Sequence, residues 1–384
     1  MVWITGTAQA ATLIPLHSFA GGSGDGSYPV AALIADKSGN LYGTTAYGGT
    51  YGYGTVFELQ RSGSSWNEIV LYSFASGNDG DSPRASLVMD KAGNLYGTTR
   101  FGGPADVGTV FELSPSGGSW TETVLYAFTG GNDGWEPQAA LTIKGNTLYG
   151  TTPGGGPSGN GVVFELKQVK GVWQEQVIYT FAGGNNDGAY PYCQPIFDKK
   201  GNMYGTTGSG GPNMAGTVFE LMPSKKGWTE QILHFFNGNT DGSNLNAGVI
   251  FDKSGNLYGL TMSGGTYSSG TAFELTPSQG GWSEQELYSF TGGQDGGFPS
   301  DGAIIDSKGN LYGTAFNGGT YGWGTVFELT NSGGSWTETT LHTFTDGNDG
   351  AFPLAGLLLR GTKLFGVADQ GGTYGYGTAF EIVK

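Results

Sequence analysis

Apolar positions along this chain come in short runs, separated by loops rich in glycine, asparagine and aspartate. From Trp120 the order is WTETVLYAF, the loop TGGNDGWEP, QAALTIKGNTLYGTT, a glycine-rich loop, GVVFEL, and a short turn to Trp173. Each run is rich in Val, Ile, Leu, Tyr, Phe or Thr and is bounded by turn residues, which predicts short β-strands. There are four of them per unit, exemplified by AALTI, TLYGTT, VVFEL and WQEQVIYTF.

The unit repeats. Leu-Tyr-Gly or a close variant begins at Leu41, Leu95, Leu148, Met203, Leu257, Leu311 and Leu364, in steps of 53 to 55 residues. A fixed period of this length marks a solenoid, a propeller or an array, and four strands per period describe a propeller blade. The chain ends on GTAFEIVK, the third strand of the seventh copy, without a fourth. The missing strand is at the other end, where residues 13–19 read LIPLHSF and match LYSF and LHTF further on. The expected fold is therefore all-β, a seven-bladed β-propeller with four antiparallel strands per blade, its ring closed by the N-terminal strand completing the last blade. A linear solenoid would carry polar capping repeats at its ends, and none is visible.

Composition changes this picture in three ways. The 74 glycines read as architecture, since an aromatic fraction of 13% is too high for a flexible matrix protein. A net charge of −15 argues against nucleic acid as a partner and favours neutral, cationic or metal-coordinating ones. No segment reaches the 18 or so apolar residues of a membrane span. The first ten residues, MVWITGTAQA, end in the small-residue pattern of a cleavage site, and residues 1–10 are read as the remnant of a secretion signal. Residues 11–384 are then a single propeller. The lone Cys193 excludes an internal disulfide framework without telling against export.

The repeated LYGTT, GG and GTVFEL blocks resemble the GloVer tandem repeat of secreted bacterial choice-of-anchor proteins, over residues 12–384. The resemblance implies a bacterial protein that is extracellular or periplasmic. It carries no established chemistry to transfer.

A site must come from what the repeat leaves over. Seven of the 32 acidic residues follow the VFE pattern, six follow WxE, seven are the Asp of the DG loop and five open the turn between the first two strands. Among the seven others are Asp81, Asp106, Glu136, Asp301 and Asp369. Strand alternation places the DG loops and the glycine-rich loops on one face of the ring. That face also collects aromatic residues, including Tyr47, Tyr51, Trp135, Tyr192, Tyr267, Phe316, Tyr321, Trp323 and Tyr374. Flat amphipathic rings beside carboxylates and amides suit sugars; the alternative is that recurring tyrosines pack loop against loop.

Arg84 and Arg100 are two of only four arginines, and both fall at the inner top of blade two, beside Trp135 and Glu136 of blade three. They form either a receptor for a planar carboxylate or a pair of ion pairs to Asp81 and Asp106. Asp301 and Asp369 are the candidate catalytic carboxylates, as an acid and base pair. The DG-loop aspartates read as turn residues, with Ca²⁺ bound through Asp79 and Asp81 as the alternative to no cofactor. His17, His234 and His342 take the Tyr slot of the outermost strand and read as structural, so no nucleophilic triad or His metal cluster assembles. The functional expectation is a secreted module that binds polysaccharide, glycoconjugate or another extracellular ligand. A carbohydrate-active enzyme, either a glycoside hydrolase or a uronate lyase in the central funnel, and a protein scaffold are the alternatives.

Overall fold

The computed structural model describes residues 11–63 and 65–384; the expected signal remnant lies outside them. Seven four-stranded antiparallel sheets follow one another along the chain, as the repeat predicts. In blade one the strands are Ile34–Ala35, Leu41–Thr45, Thr55–Ser62 and Ser65–Ser73, from the channel outward. Among the described residues helix is limited to one three-residue turn, Gly184–Asn186.

The core is seven layers, one in each seam between neighbouring blades. Between blades one and two, Tyr42, Val56 and Phe74 meet Leu87, Leu95, Phe111 and Leu113. The glycine of LYG answers to this packing. A Cβ on Gly43 would lie 2.6 Å from Cζ of Phe57, which is fully buried, and the same holds for Gly97 against Phe111 at 2.5 Å. Each third-strand phenylalanine thus lies on the bare backbone of the second strand. Gly54, with φ +101°, brings its Cα to the carbonyl of Thr45 and the ring of Pro83 in the next blade, where a side chain has no room.

Buried threonines in LYGTT have partners. Thr45 and Thr55 hydroxyls meet at 2.8 Å, and Thr44 donates to the Ala85 carbonyl of the next blade at 3.2 Å. Thr151, Thr206 and Thr314 make the same bond to the following blade at 2.7 to 2.9 Å. Seams are therefore hydrogen-bonded as well as packed.

The last blade is Leu358–Arg360, Lys363–Ala368, Thr378–Val383 and, from the other end of the chain, Thr12–Ser18. Thr12 pairs with Val383 and Ser18 with Thr378, and the register slips between Pro15 and His17. An equivalent slip recurs in the outermost strand of blade one, where Val56 faces Tyr72 and Phe57 faces Val70. The closing strand thus reproduces an ordinary outermost strand, bulge included. Pro15 is tolerated because this strand is the edge of its sheet.

If closure carries the same packing as an internal seam, Phe19→Ala and Phe74→Ala should cost alike, about 3 to 5 kcal/mol each for a buried phenylalanine. Urea unfolding of the two variants checks this; a negligible cost at Phe19 alone would mean that the ring is open.

Candidate functional site

The DG loops and the glycine-rich loops do share a face, since they pair with each other: Asp81 with Phe101, Trp135 with Gly154, Ala351 with Gln370. At one shared position each DG loop carries a non-glycine residue in the left-handed region: Tyr28, Ser82, Glu136, Tyr190, Asn244, Phe298 or Phe352, with φ of 54° to 59°. Such a conformation is costly for bulky side chains and persists only when its surroundings hold it. Here each amide donates to the preceding blade, as Tyr28 to Tyr376 and Phe352 to Trp323, both at 2.9 Å.

Two residues further on, a strict 54-residue spacing sets a ring of seven side chains around the channel mouth: Val30, Arg84, Gln138, Tyr192, Asn246, Ser300 and Leu354. Five consecutive blades offer hydrogen-bonding groups, and the adjoining blades seven and one offer Leu354 and Val30. The next tier inward is small, with Ala32, Ser86, Ala140, Gly248, Gly302 and Gly356 broken by Gln194. Below it lie Ile34, Val88, Ile196, Ile250 and Ile304. The result is a cup of about 420 Å³ with a polar arc at its rim and an apolar base, within the size range of small-ligand pockets.

The arginines part company. Arg100 directs Nε and Nη2 onto Oε2 of Glu136 at 3.0 and 2.8 Å and lies over the Phe101 ring. Its ion pair is therefore with blade three, not with Asp81 or Asp106; Asp106 instead accepts the Gly102 amide at 3.0 Å. Arg84 reaches the Tyr47 hydroxyl only at 3.4 Å, and its buried Nε has no acceptor among the described residues. Asp369 is buried, and burial holds its carboxyl above the usual range, with the Arg84 charge pulling the other way. Asp301 lines the cup and accepts the Gly302 and Gly356 amides at 2.7 and 2.6 Å; its carboxyl is raised by burial despite those bonds.

The aromatic residues divide in the same way. Trp135 lies flat on Gly154, where a Cβ would meet its ring at 1.9 Å. Phe316 stacks on Phe352 at 4.8 Å, and Trp323 meets Phe352 edge-on at 5.0 Å. Tyr47, 45% exposed, packs its edge on Tyr28, and Tyr192 is half-buried at the rim. Tyr267, Tyr321, Tyr374 and Tyr51 are 57 to 60% exposed. They belong to blades five, six, seven and one, so they form an arc on adjacent blades. The equivalent loops of blades two to four begin with Pro104, Pro157 and Pro212 and carry no tyrosine there. For these four rings the loop-packing alternative does not hold.

The DG-loop aspartates are fastened to their own loops. Asp79 accepts the Tyr72 hydroxyl at 2.9 Å on one oxygen and the Ala75 amide at 2.6 Å on the other. Histidine replaces tyrosine in three blades: Nε2 of His17, His234 and His342 lies 2.9 to 3.2 Å from Asp25, Asp241 and Asp349. The WxE glutamate of the following blade faces two of these pairs, Glu68 at His17 and Asp25 and Glu284 at His234 and Asp241; the closing strand has Leu13 in that slot, so His342 and Asp349 have none. His17, Asp25 and Glu68 gather ligand atoms within 4.8 Å. The same Glu faces Tyr–Asp pairs elsewhere, so the cluster is the seam motif with a histidine in it. Cys193 is fully buried, and burial pushes its thiol up to about 11.

The fold and this face define a β-propeller with an asymmetric, tyrosine-bearing loop side above a central cup. The chain belongs to the Gloeobacter/Verrucomicrobia repeat family, whose sequence profile matches residues 4–194 and again 191–384. Among curated proteins nothing matches. Solved structures share the fold at low identity. A Lactobacillus plantarum protein is 13% identical, with TM-score 0.54, over 90% of this chain and 99% of its own. An ancestral GH74 enzyme is 11% identical, with TM-score 0.55, over 93% of this chain and 51% of its own. A PL25 ulvan lyase bound to a GlcA–Rha3S fragment is 10% identical, with TM-score 0.50, over 96% of this chain and 95% of its own. No helix among the described residues is long and apolar enough to cross a membrane.

The seam glutamates make a pH prediction. Burial, reinforced by the facing aspartate, pushes Glu122 and Glu230 up to about 8, and Glu175 up to about 7. Burial also leads at Glu68, about 7, and at Glu338, also about 7. Between the ordinary glutamate range near 4.3 and these values the folded ring binds more protons than the unfolded chain, so stability falls as pH rises. Their contribution is complete below about pH 4 and lost above about pH 8. Melting temperature should therefore decline from pH 5 to pH 9, and Glu122→Gln, facing Tyr72 and Asp79, should flatten part of that decline. An unchanged slope in this variant would remove Glu122 from the seam's titration.

Proposed function

We propose that this propeller is an exported bacterial binding module for polysaccharide or glycoconjugate, and that the ligand lies on the loop face. The observation that carries this reading is the arc of Tyr51, Tyr267, Tyr321 and Tyr374, four exposed rings on adjacent blades beside a cup with a polar rim. Tyrosine gives a large apolar face at small entropic cost and a hydroxyl for hydrogen bonding, which suits the alternating apolar and polar faces of a sugar chain. An extended glycan would cross the tyrosines with its end over the cup.

A catalytic reading has one specific observation in its favour. Asp301 and Asp369, both with raised carboxyls, lie in or beside the cup, as an acid and base pair would require. Against it, both oxygens of Asp301 are committed to backbone amides.

A glycan array followed by product analysis of each bound glycan tests the proposal. Binding without turnover is the expected result, and turnover replaces the module with an enzyme. For a bound glycan, Tyr321→Ala or Tyr267→Ala should weaken affinity about threefold to tenfold each, from roughly 0.5 to 1.5 kcal/mol per ring contact. Glycan binding unaltered in a quadruple tyrosine variant that folds normally would place the site elsewhere.

A further inference from the structure

Arg84 stands apart from the other charged groups on the loop face. It lines the cup, and its buried Nε lacks an acceptor among the described residues. Its Nη2 has only the long contact to Tyr47. A donor withdrawn from water without a partner is unfavourable, and on a guanidinium it is more so. Arg100 resolves the same problem with Glu136; Arg84 has no carboxylate within ion-pair distance among the described residues. Asp369 and Asp81 are near enough for their carboxyls to feel the Arg84 charge, but neither forms an ion pair with it.

The surroundings limit what the ligand can be. The chain carries a net charge of −15, so an anion reaches the cup only if a local cation holds it. One guanidinium presents a planar fork that matches a planar monoanion with two parallel hydrogen bonds. To one side of Arg84 the rim is Val30 and Leu354; to the other it is Gln138, Tyr192, Asn246 and Ser300. At the rim a ligand meets an apolar wall, neutral hydrogen-bonding groups and one cation; the Asp301 carboxyl also lines the cup, with its oxygens bonded to the Gly302 and Gly356 amides.

We propose that the cup receives the carboxylate of an acidic sugar, a uronate at the end of a glycan, with the Arg84 fork as its anchor. Resting on the glycan-binding reading, this adds the ligand's charge and the end of the chain that enters. The uronate carboxylate pairs with the terminal nitrogens of the Arg84 guanidinium, its hydroxyls address the polar arc, and its less polar ring face rests on Val30 and Leu354.

Calorimetric titration with glucuronate, galacturonate and short oligouronides, each beside its neutral counterpart, tests this, with acetate as a carboxylate lacking the sugar. Uronates should bind at least about tenfold more tightly than neutral counterparts. Arg84→Gln should weaken uronates about tenfold to a hundredfold, as expected for a charge-assisted pair, and leave neutral glycans unaltered. Arg84→Lys should also lose affinity, because a point charge does not reproduce the fork; Arg360→Gln, on the opposite face, should not. If neutral glycans bind as well as uronates, or a folded Arg84→Gln binds uronates like the parent, the uronate anchor is overturned while the glycan module stands. If acetate binds through Arg84 and no sugar binds at all, the module and the uronate both fail. Silence toward every uronide overturns the anchor, and the tyrosine variants then decide the module separately.

Discussion

The ring depends on one contact made seven times, a phenylalanine ring lying on the bare Cα of a glycine. Phe57 on Gly43 and Phe111 on Gly97 show what it achieves: the second and third strands of a blade come together with no side chain between them, and a large apolar surface is left flush for the neighbouring blade. Sheets without helices to cover them must bury each face against another sheet. Everything else follows from repeating that choice, including the hydroxyl bonds across the seams, the loops on one face and the narrow channel where the innermost strands converge.

Because the seams are alike, most of the molecule's asymmetry lies where a side chain departs from its repeat slot. On the loop face the departures are grouped. Blades five to one carry exposed tyrosines and, within them, the stacked Phe316, Trp323 and Phe352; blades two to four carry prolines, both loop-face arginines and Glu136. A scaffold built from near-identical blades thereby acquires a more aromatic and a more polar half chiefly through its side chains.

The fold was legible because it is periodic: the spacing of Leu-Tyr-Gly and the strand missing at one terminus and present at the other define blade number and closure. The site was less so. Arg84 and Arg100 were visible as departures from the repeat, but their partners were not, since Arg100 pairs across a seam with Glu136 and sequence proximity had favoured Asp81 and Asp106. For the four tyrosines recurrence left sugar binding and loop packing both open, and only solvent exposure separates Tyr321 from a ring such as Tyr28 that packs on neighbours. Asn246 is the rim group least legible in the sequence, because its loop has Leu245 where the others have proline. The constant step of 54 residues from Arg84 nevertheless leads to it.

Strand pairing at the closure also fixes where the ring can be held. Thr12 lies opposite Val383, and from there the closing strand runs toward the loop face, reaching it at Ser18 beside Thr378. Both ends of the described chain therefore leave from the side opposite the tyrosines and the cup. A linker, a neighbouring domain or a solid support joined at either end acts as a handle on the back of the disc. The loop face is then presented outward, and two handles at once would not turn it over.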